Sequence, residues 1–308
     1  MTPSVNPNTA IFLSNLQQIE NRMSTAEQQL SSGLRVSVAS DDPDQISSIL
    51  QLRAQIAGVQ QTQENLSNVT PQVDAGENAI QQAIQALETA TTAGTAAASS
   101  TTTADQMQNE IPAVQGVLQQ LVSLSQTNVN GVYIFSGAQS GQPQYTLAAG
   151  GNSAQQAFQA GAPGQIADPN GVMMSIGLTA QQIFDDQAGG VSGTGNPAPD
   201  NVFAAVTGLL TALQSGSSSG VQTALANIQA ASTHLNDENS VYGAAQNNLT
   251  AAGNTASQTL IQLQTQLSNE QDANEAQASE NLTQATTDEQ AAMSAQAMLK
   301  PQSLFTYM

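Results

Sequence analysis

Phe12, Leu16, Ile19, Met23, Ala26 and Leu30 follow one another at alternating steps of four and three residues. That spacing predicts one helix with a narrow apolar stripe. Gly33 supplies a stop, and the acids Asp41 and Asp42 ahead of Pro43 predict a second helix beginning near Pro43. In this second helix Leu52, Val59, Leu66, Val73, Ile80 and Leu87 recur every seven residues. The companion register reads Ile49, Ile56, Gln63, Thr70, Glu77 and Ile84. One wholly apolar register beside one with a polar middle is the pattern of a coiled-coil seam whose three polar positions help to choose the partner. A helix lying on a globular core is the alternative. A helix from Ile49 to Leu87 would be about 58 Å long, against roughly 30 Å for a small domain, which favours a rod. Pro71 inside the run predicts a kink or a short break.

The Ala-, Ser- and Thr-rich stretch from Thr91 to Thr103 weakens the helix without ending it, and a further helix is expected across Met107, Ile111, Val114, Leu118 and Leu121. Asn130-Gly131 predicts a turn, followed by the β-prone run Val132 to Phe135. Between Ser136 and Asp200 the chain becomes rich in Gly, Pro, Asn and Ser, with short strand candidates at Tyr145 to Leu147 and Val172 to Ile176. Helical pattern resumes at Val202 to Leu213 and from Val221 onward, with Leu235, Tyr242, Leu249, Ala256 and Leu263 at intervals of seven and Leu260 and Leu267 in the second register. The last forty residues read as a more polar helix that Pro301 ends.

The expected fold is therefore mostly α: an elongated rod of long coiled-coil helices from both chain ends, with a small β-containing inserted domain in the middle. The expected division is terminal helices at 1–42 and 268–308, a helical rod at 43–137 and 201–267, and a small β-rich insert at 138–200 that faces outward because loops lie on surfaces. The candidate assembly seam is Leu16, Ile19, Met23, Leu30, Leu52, Val59, Leu66, Val73, Ile80, Leu87, Leu249, Leu260, Leu263 and Leu267.

Composition narrows the function. Only 9% of the 308 residues are charged and 3% aromatic, with no Trp, so Leu, Ile, Val and Ala build the core and amides and hydroxyls build the surface. Such a surface suits packing against copies of the same chain, since little charge means little self-repulsion. There are 23 acids against 4 bases, giving a net charge of -19. The bases are Arg22, Arg35, Arg53 and Lys300, so Ala54 to Leu299 holds neither Lys nor Arg. Nucleic acids and anionic membrane surfaces are recognised by clustered cations, which excludes both as partners. The absence of Cys excludes disulfides, thiolate chemistry and Cys-ligated metals. No apolar run reaches the roughly 18–20 residues that span a bilayer, and no basic region precedes an apolar run at the N-terminus, so no cleaved secretory signal is expected.

Little here reads as catalytic machinery. His234, the only His, has no companion for a metal site and is expected on a helix surface. The acid pairs Asp41-Asp42, Asp185-Asp186, Asp237-Glu238 and Asp288-Glu289 point about 100° apart on a helix and read as caps and solvated surface. Asp168-Pro169-Asn170-Gly171 lacks the ligand series of a calcium loop and reads as a turn. Gly33, Gly131 and Gly137 belong to no phosphate loop. No cofactor, metal or catalytic residue is expected. Arg35 and Arg53 either pair with acids such as Asp41, Asp42 or Glu275 at subunit contacts or lie on a solvated face.

Four segments also resemble a known family. Leu30-Ser31-Ser32-Gly33-Leu34-Arg35 through Asp41-Asp42-Pro43 is similar to the N-terminal segment of bacterial flagellins and their hook-filament junction proteins, with the Asp-Asp-Pro ending nearer the latter. Asn130 to Gly137 resembles the junction proteins' Gly-Arg-Tyr-Leu-Phe-Ser-Gly segment, with Val132 in place of the basic residue. Leu267 to Asn274 resembles their C-terminal helix, with Asn274 where Asp is common, and Ser303 to Met308 resembles their terminus. The motif positions are Gly33, Arg35, Asp41, Asp42, Pro43, Tyr133, Phe135, Gly137, Leu304 and Tyr307.

The resemblance implies a structural subunit on the bacterial flagellum outside the cell, exported without a cleaved signal through the type III apparatus and assembled into a ring of copies. The ring's partners would be the hook-side junction protein and flagellin, with an export chaperone at the C-terminal region. It also implies terminal helices that order only on assembly, as expected of helices whose stability comes from packing. Flagellin itself and a type III secreted helical effector are the alternatives. An enzyme using Asp185 or Asp186, such as a polysaccharide hydrolase, is the remaining class.

Overall fold

In the computed structural model the heptad runs form long helices. The structure describes residues 7–99, 103–159, 161–187 and 197–298. Helix α1 spans Pro7–Ser32, α2 Ile46–Ala97, α3 Ala104–Gln108 and α4 Ile111–Ser125. Six short strands follow: β1 Asn128–Val129, β2 Val132–Tyr133, β3 Tyr145–Leu147, β4 Ala154–Gln156, β5 Gln165–Ala167 and β6 Met173–Ser175. The chain closes with α5 Ala180–Phe184, α6 Val202–Gln214, α7 Ser218–Gln271 and α8 Glu275–Met298. It forms two compact units, Met1–Gly58 with Thr259–Met308 and Val59–Gln258, and α2 and α7 each contribute residues to both.

In the first unit α1 and α8 run antiparallel. Arg22 meets Asp288 at 2.8 Å, and beyond the other end of α1 the Gly33 carbonyl accepts from the Ala273 N–H at 2.9 Å. Small side chains line the contact: Ala26, Ala278 and Ala285 are buried. Ile49 and Leu52, from the start of α2, are buried in the same unit.

In the second unit α2 and α7 pair antiparallel. Gln63 donates to Ser257 at 3.2 Å, and farther along α2 both Asp74 and Glu77 accept from Gln246, at 2.9 and 2.7 Å. Gly76 faces the Tyr242 ring, and Gly94 faces Leu225. Two of the three polar positions in the second α2 register, Gln63 and Glu77, are thus spent on α7 of the same chain. The third, Thr70, turns its hydroxyl back to the Leu66 carbonyl at 2.9 Å.

Val73, Ile80 and Leu87 of α2 join Leu118 and Leu121 of α4, Leu209 and Leu213 of α6, and Leu235 and Tyr242 of α7 in one buried core. Phe135, Phe184 and Tyr145 from the central segment enter the same core. Phe135 meets Phe184 edge-on at 5.9 Å and Tyr242 at 6.4 Å, and Phe184 stacks on Phe203 at 5.6 Å. The strands form three separate antiparallel pairs, β1–β2, β3–β4 and β5–β6. Isolated two-stranded ribbons are marginal in water, so these depend on the aromatic anchors. The β1–β2 turn uses Asn130 and Gly131, both at positive φ (53° and 86°), as a type I′ hairpin requires.

The structure departs from the sequence expectations at several places. Helix α2 runs through Pro71 without a break. Pro71 is exposed, so the carbonyl it leaves free can turn to water, and the packing of Leu66 and Val73 on either side holds the helix together. The helix begins at Ile46, because Asp42 to Gln45 form a turn in which the Ile46 N–H donates to the Asp42 carbonyl at 3.2 Å. Strands β4 and β5 were not anticipated, being three residues each and nearly free of β-branched residues. Leu299 and Pro301 lie outside the described residues.

Tyr242 sits against two glycines, and a Cβ added to Gly76 would lie 2.3 Å from its Cε1. Gly76→Ala is therefore expected to lower stability by about 1–3 kcal/mol through overpacking, measured by thermal unfolding. Combining it with Tyr242→Leu should cost less than the sum of the two single changes.

Candidate functional site

Two breaks in the helices, one between α1 and α2 and the other between α7 and α8, lie side by side in the first unit. Gly33 starts the first break with a left-handed φ of 70°, a conformation that glycine adopts without strain. Leu34 then forms an antiparallel bridge with Asp272. The Arg35 and Val36 N–H groups both donate to the Gln271 carbonyl, at 2.7 and 3.2 Å. That carbonyl belongs to the last residue of α7, one of the acceptors a helix end leaves unsatisfied.

The Arg35 side chain reaches three more partners. Nη2 donates to the Glu270 carbonyl at 2.6 Å and to Gln45 Oε1 at 2.7 Å, and Nη1 donates to Asp42 at 3.0 Å. One planar guanidinium thus ties the end of α7 to the start of α2, a task its fork of donors suits. Of the two readings the sequence left open for Arg35, the structure takes the pairing with Asp42, within one chain. Asp41 organises the turn instead: its carboxylate accepts from the Ser37 and Val38 N–H groups, both at 2.9 Å, and from the Ser37 hydroxyl. The Val38 and Ser37 N–H groups hold the Asp41 carboxyl below its ordinary value. Pro43 is exposed in the turn. Gln45 and Gln271 were not singled out by the sequence, since nothing in their spacing marks a residue that will bond across a turn.

Of the seam positions, Leu52, Leu66, Val73, Ile80, Leu87 and Leu249 are buried. Leu16, Ile19, Met23, Leu30, Val59, Leu260, Leu263 and Leu267 are half-buried. Ile11, Leu13 and Met293 in α1 and α8 are more than half exposed. Tyr133 is half-buried and pairs with Asn128 across the β1–β2 hairpin. Phe135 is fully buried. Gly137 has a φ of 59°, and a Cβ there would meet the Ala162 carbonyl at 3.0 Å. Leu304 and Tyr307 lie outside the described residues.

The candidate chemistry residues serve structure. His234, expected on a helix surface, has a side chain only 12% exposed. Its Nε2 donates to the Gln182 carbonyl at 2.9 Å, while Nδ1 lies 3.9 Å from both Asp200 and Glu238. Burial raises the Glu238 carboxyl above its usual range against the opposing pull of His234. Asp185 accepts from the Tyr145 hydroxyl at 2.7 Å, from Asn201 at 2.8 Å and from Gln187 at 3.1 Å, so both its oxygens are occupied. Burial, then the Asp185 charge, pushes the Tyr145 hydroxyl far above its ordinary value. Asn201 also caps α6 through the Ala204 N–H. Its place just before Val202 is the signal that would have found it. Asp168 closes a turn by accepting from the Asn170 and Val172 N–H groups. Among the described residues no group of three or more acids and histidines could hold a metal, and no helix is long and apolar enough to cross a membrane.

Residues 4–140 match the family of the bacterial flagellin N-terminal helical region. Over that region the chain resembles the flagellins. Its fold is that of solved hook-associated proteins. The structure of a putative flagellar hook-associated protein from Vibrio parahaemolyticus matches with a TM-score of 0.63 at 18% identity, over 75% of this chain and 100% of that one. Flagellar hook associated protein-3 from Legionella pneumophila gives 0.59 at 15% identity, over 72% and 98%. FlgL from Bacillus cereus gives 0.53 at 16% identity, over 72% and 100%. A search of curated proteins finds no significant sequence match.

Asp41 supplies a pH test of the turn. A carboxyl with a lowered folded value adds stability that is complete above its ordinary value of 3.8 and is lost as pH falls through the folded value. Hydrogen exchange of the Ser37 and Val38 amides should therefore show protection that falls away in acid below about pH 3.8, a step that Asp41→Asn removes. Arg35→Ala should speed exchange of the Val36 and Ala273 amides by about tenfold, and Arg35→Lys should restore little of it.

Proposed function

We propose that this protein is a subunit of the junction between flagellar hook and filament, assembled as a ring of copies through its terminal helices. The observation that carries the reading is the antiparallel pairing of α1 with α8, helices from opposite ends of the chain, with Ile11, Leu13 and Met293 left exposed around it. Apolar positions outside such a narrow stripe are what neighbouring subunits would cover. The half-buried seam residues Leu16, Ile19, Met23, Leu260 and Leu263 would complete their burial in the same contacts.

Several further features belong to this reading. The terminal segments 1–42 and 268–308 order fully only when neighbours cover them, and the 138–200 segment faces outward. The other junction protein lies on the hook side and flagellin on the filament side, and a chaperone guards the C-terminal region during export outside the cell by the flagellar type III route. The likeness of the fold to hook-associated proteins supports a junction over a filament role, as do the Tyr133-to-Gly137 segment and the Asp41-Asp42-Pro43 ending.

Electron microscopy of cells lacking the gene, with flagellin assayed in the medium, tests the proposal. Bare hooks with unpolymerised flagellin outside the cell are expected. Hooks without flagellin in the medium would instead make the chain the filament subunit, and normal filaments would overturn the flagellar reading.

A further inference from the structure

Cations are so scarce in this chain that the partner of each one is informative. Among the described residues Arg22 pairs with Asp288 and Arg35 with Asp42, whereas Arg53 is exposed and meets no acid. Arg53 lies on α2 within the first unit. Around it α2 carries two apolar stripes. Ile49 and Leu52 are buried, with Ile56 and Val59 half-buried beside them. On the side turned away from these, Leu50 is 57% exposed, and Ala54 and Ala57 follow it at steps of four and three, both exposed. That spacing is the a/d spacing of a helix–helix seam, and alanine at two of the three positions lets a second helix approach closely. Arg53, three residues after Leu50 and four before Ala57, flanks this second stripe.

The charge of the chain identifies what covers it. All charged residues of Val59–Gln258 other than the single His234 are acids, with no Lys or Arg. A second copy therefore brings carboxylates and no competing Lys or Arg over that whole unit, which makes it electrostatically matched to a lone guanidinium. Nucleic acid and anionic lipid offer negative charge too, but both are recognised by clustered cations, and Arg53 is the one Lys or Arg between Val36 and Leu299.

We infer that the Leu50, Arg53, Ala54 and Ala57 face of α2 is a contact between neighbouring copies, in which Arg53 donates to a carboxylate of the next copy. This rests on the assembly reading above and assigns it a surface and a polarity: a cationic, apolar helix face on one copy against an acidic helix face on the other. Leu50 and the alanines supply burial. Arg53 supplies register, since a carboxylate faces it in the matched arrangement and like charges brought together across an interface are costly.

Full-length variants returned to cells lacking the gene provide the test. Arg53→Glu sets an acid against an acid and is expected to lower the number of filaments per cell by about tenfold, with the chain still secreted and its unfolding temperature unchanged. Arg53→Lys should retain most of the filaments. Because the chain has no Cys, Ala54→Cys carrying a benzophenone label marks this face alone, and illumination of assembled flagella should give covalent dimers of this chain. Wild-type filament numbers with Arg53→Glu, or label captured only by a different flagellar protein, would overturn the inference. Because the deletion strain is scored separately, bare hooks there with full rescue by Arg53→Glu would retain the junction role and reject this contact.

Discussion

The antiparallel pairing of α2 with α7 is the constraint on which the larger unit depends. Neither helix has an aromatic-rich face, so the pair is fixed by a few specific contacts over a bed of Leu, Val and Ala. Tyr242 is the largest of them: its ring fits against Gly76, its hydroxyl accepts from the Leu178 N–H at 3.1 Å, and its edge meets Phe135. Because that one side chain touches α2, the central segment and the hairpin region together, it sets the register of the helices and the seat of the β pairs at once. Gln63 with Ser257, and Gln246 with Asp74 and Glu77, hold the same register with polar bonds. A one-turn slip would leave all of them unpaired.

The smaller unit solves a different problem, the joining of two chain ends. Where α1 stops at Gly33 and α7 stops at Gln271, the freed backbone groups satisfy one another across the two breaks. Arg35 adds a charged hydrogen bond to the last turn of α7, where a cation also suits the negative end of the helix dipole. A sequence nearly without bases has placed one where a single side chain can reach two helices and a turn. Asp41 and Asp42, adjacent in sequence, divide the remaining work, one folding the turn and the other receiving the guanidinium.

The polar residues of the larger unit are drawn into its packing. The polar candidates that might have suggested an enzyme are each committed to structure, Asp185 to Tyr145 and Asn201, and His234 to the Gln182 carbonyl. Ile11, Leu13, Leu50 and Met293 remain exposed among amides and hydroxyls.

The sequence by itself determined the long helices, since a seven-residue repeat carried over six positions admits no other regular structure, and it located the hairpin at Asn130-Gly131 because that dipeptide supplies two positive φ angles cheaply. It also marked the turn from Gly33 to Pro43 as special. Tertiary structure alone decided the partners. Which carbonyl Arg35 reaches, why Gly76 must lack a side chain, and how Pro71 stays inside a continuous helix all depend on residues far away in the chain, as do the β4 and β5 strands, too short to carry a period. Periodicity reports which face of a helix is buried; what buries it is set by contacts between residues distant in sequence, and a single chain read from end to end contains no local trace of them.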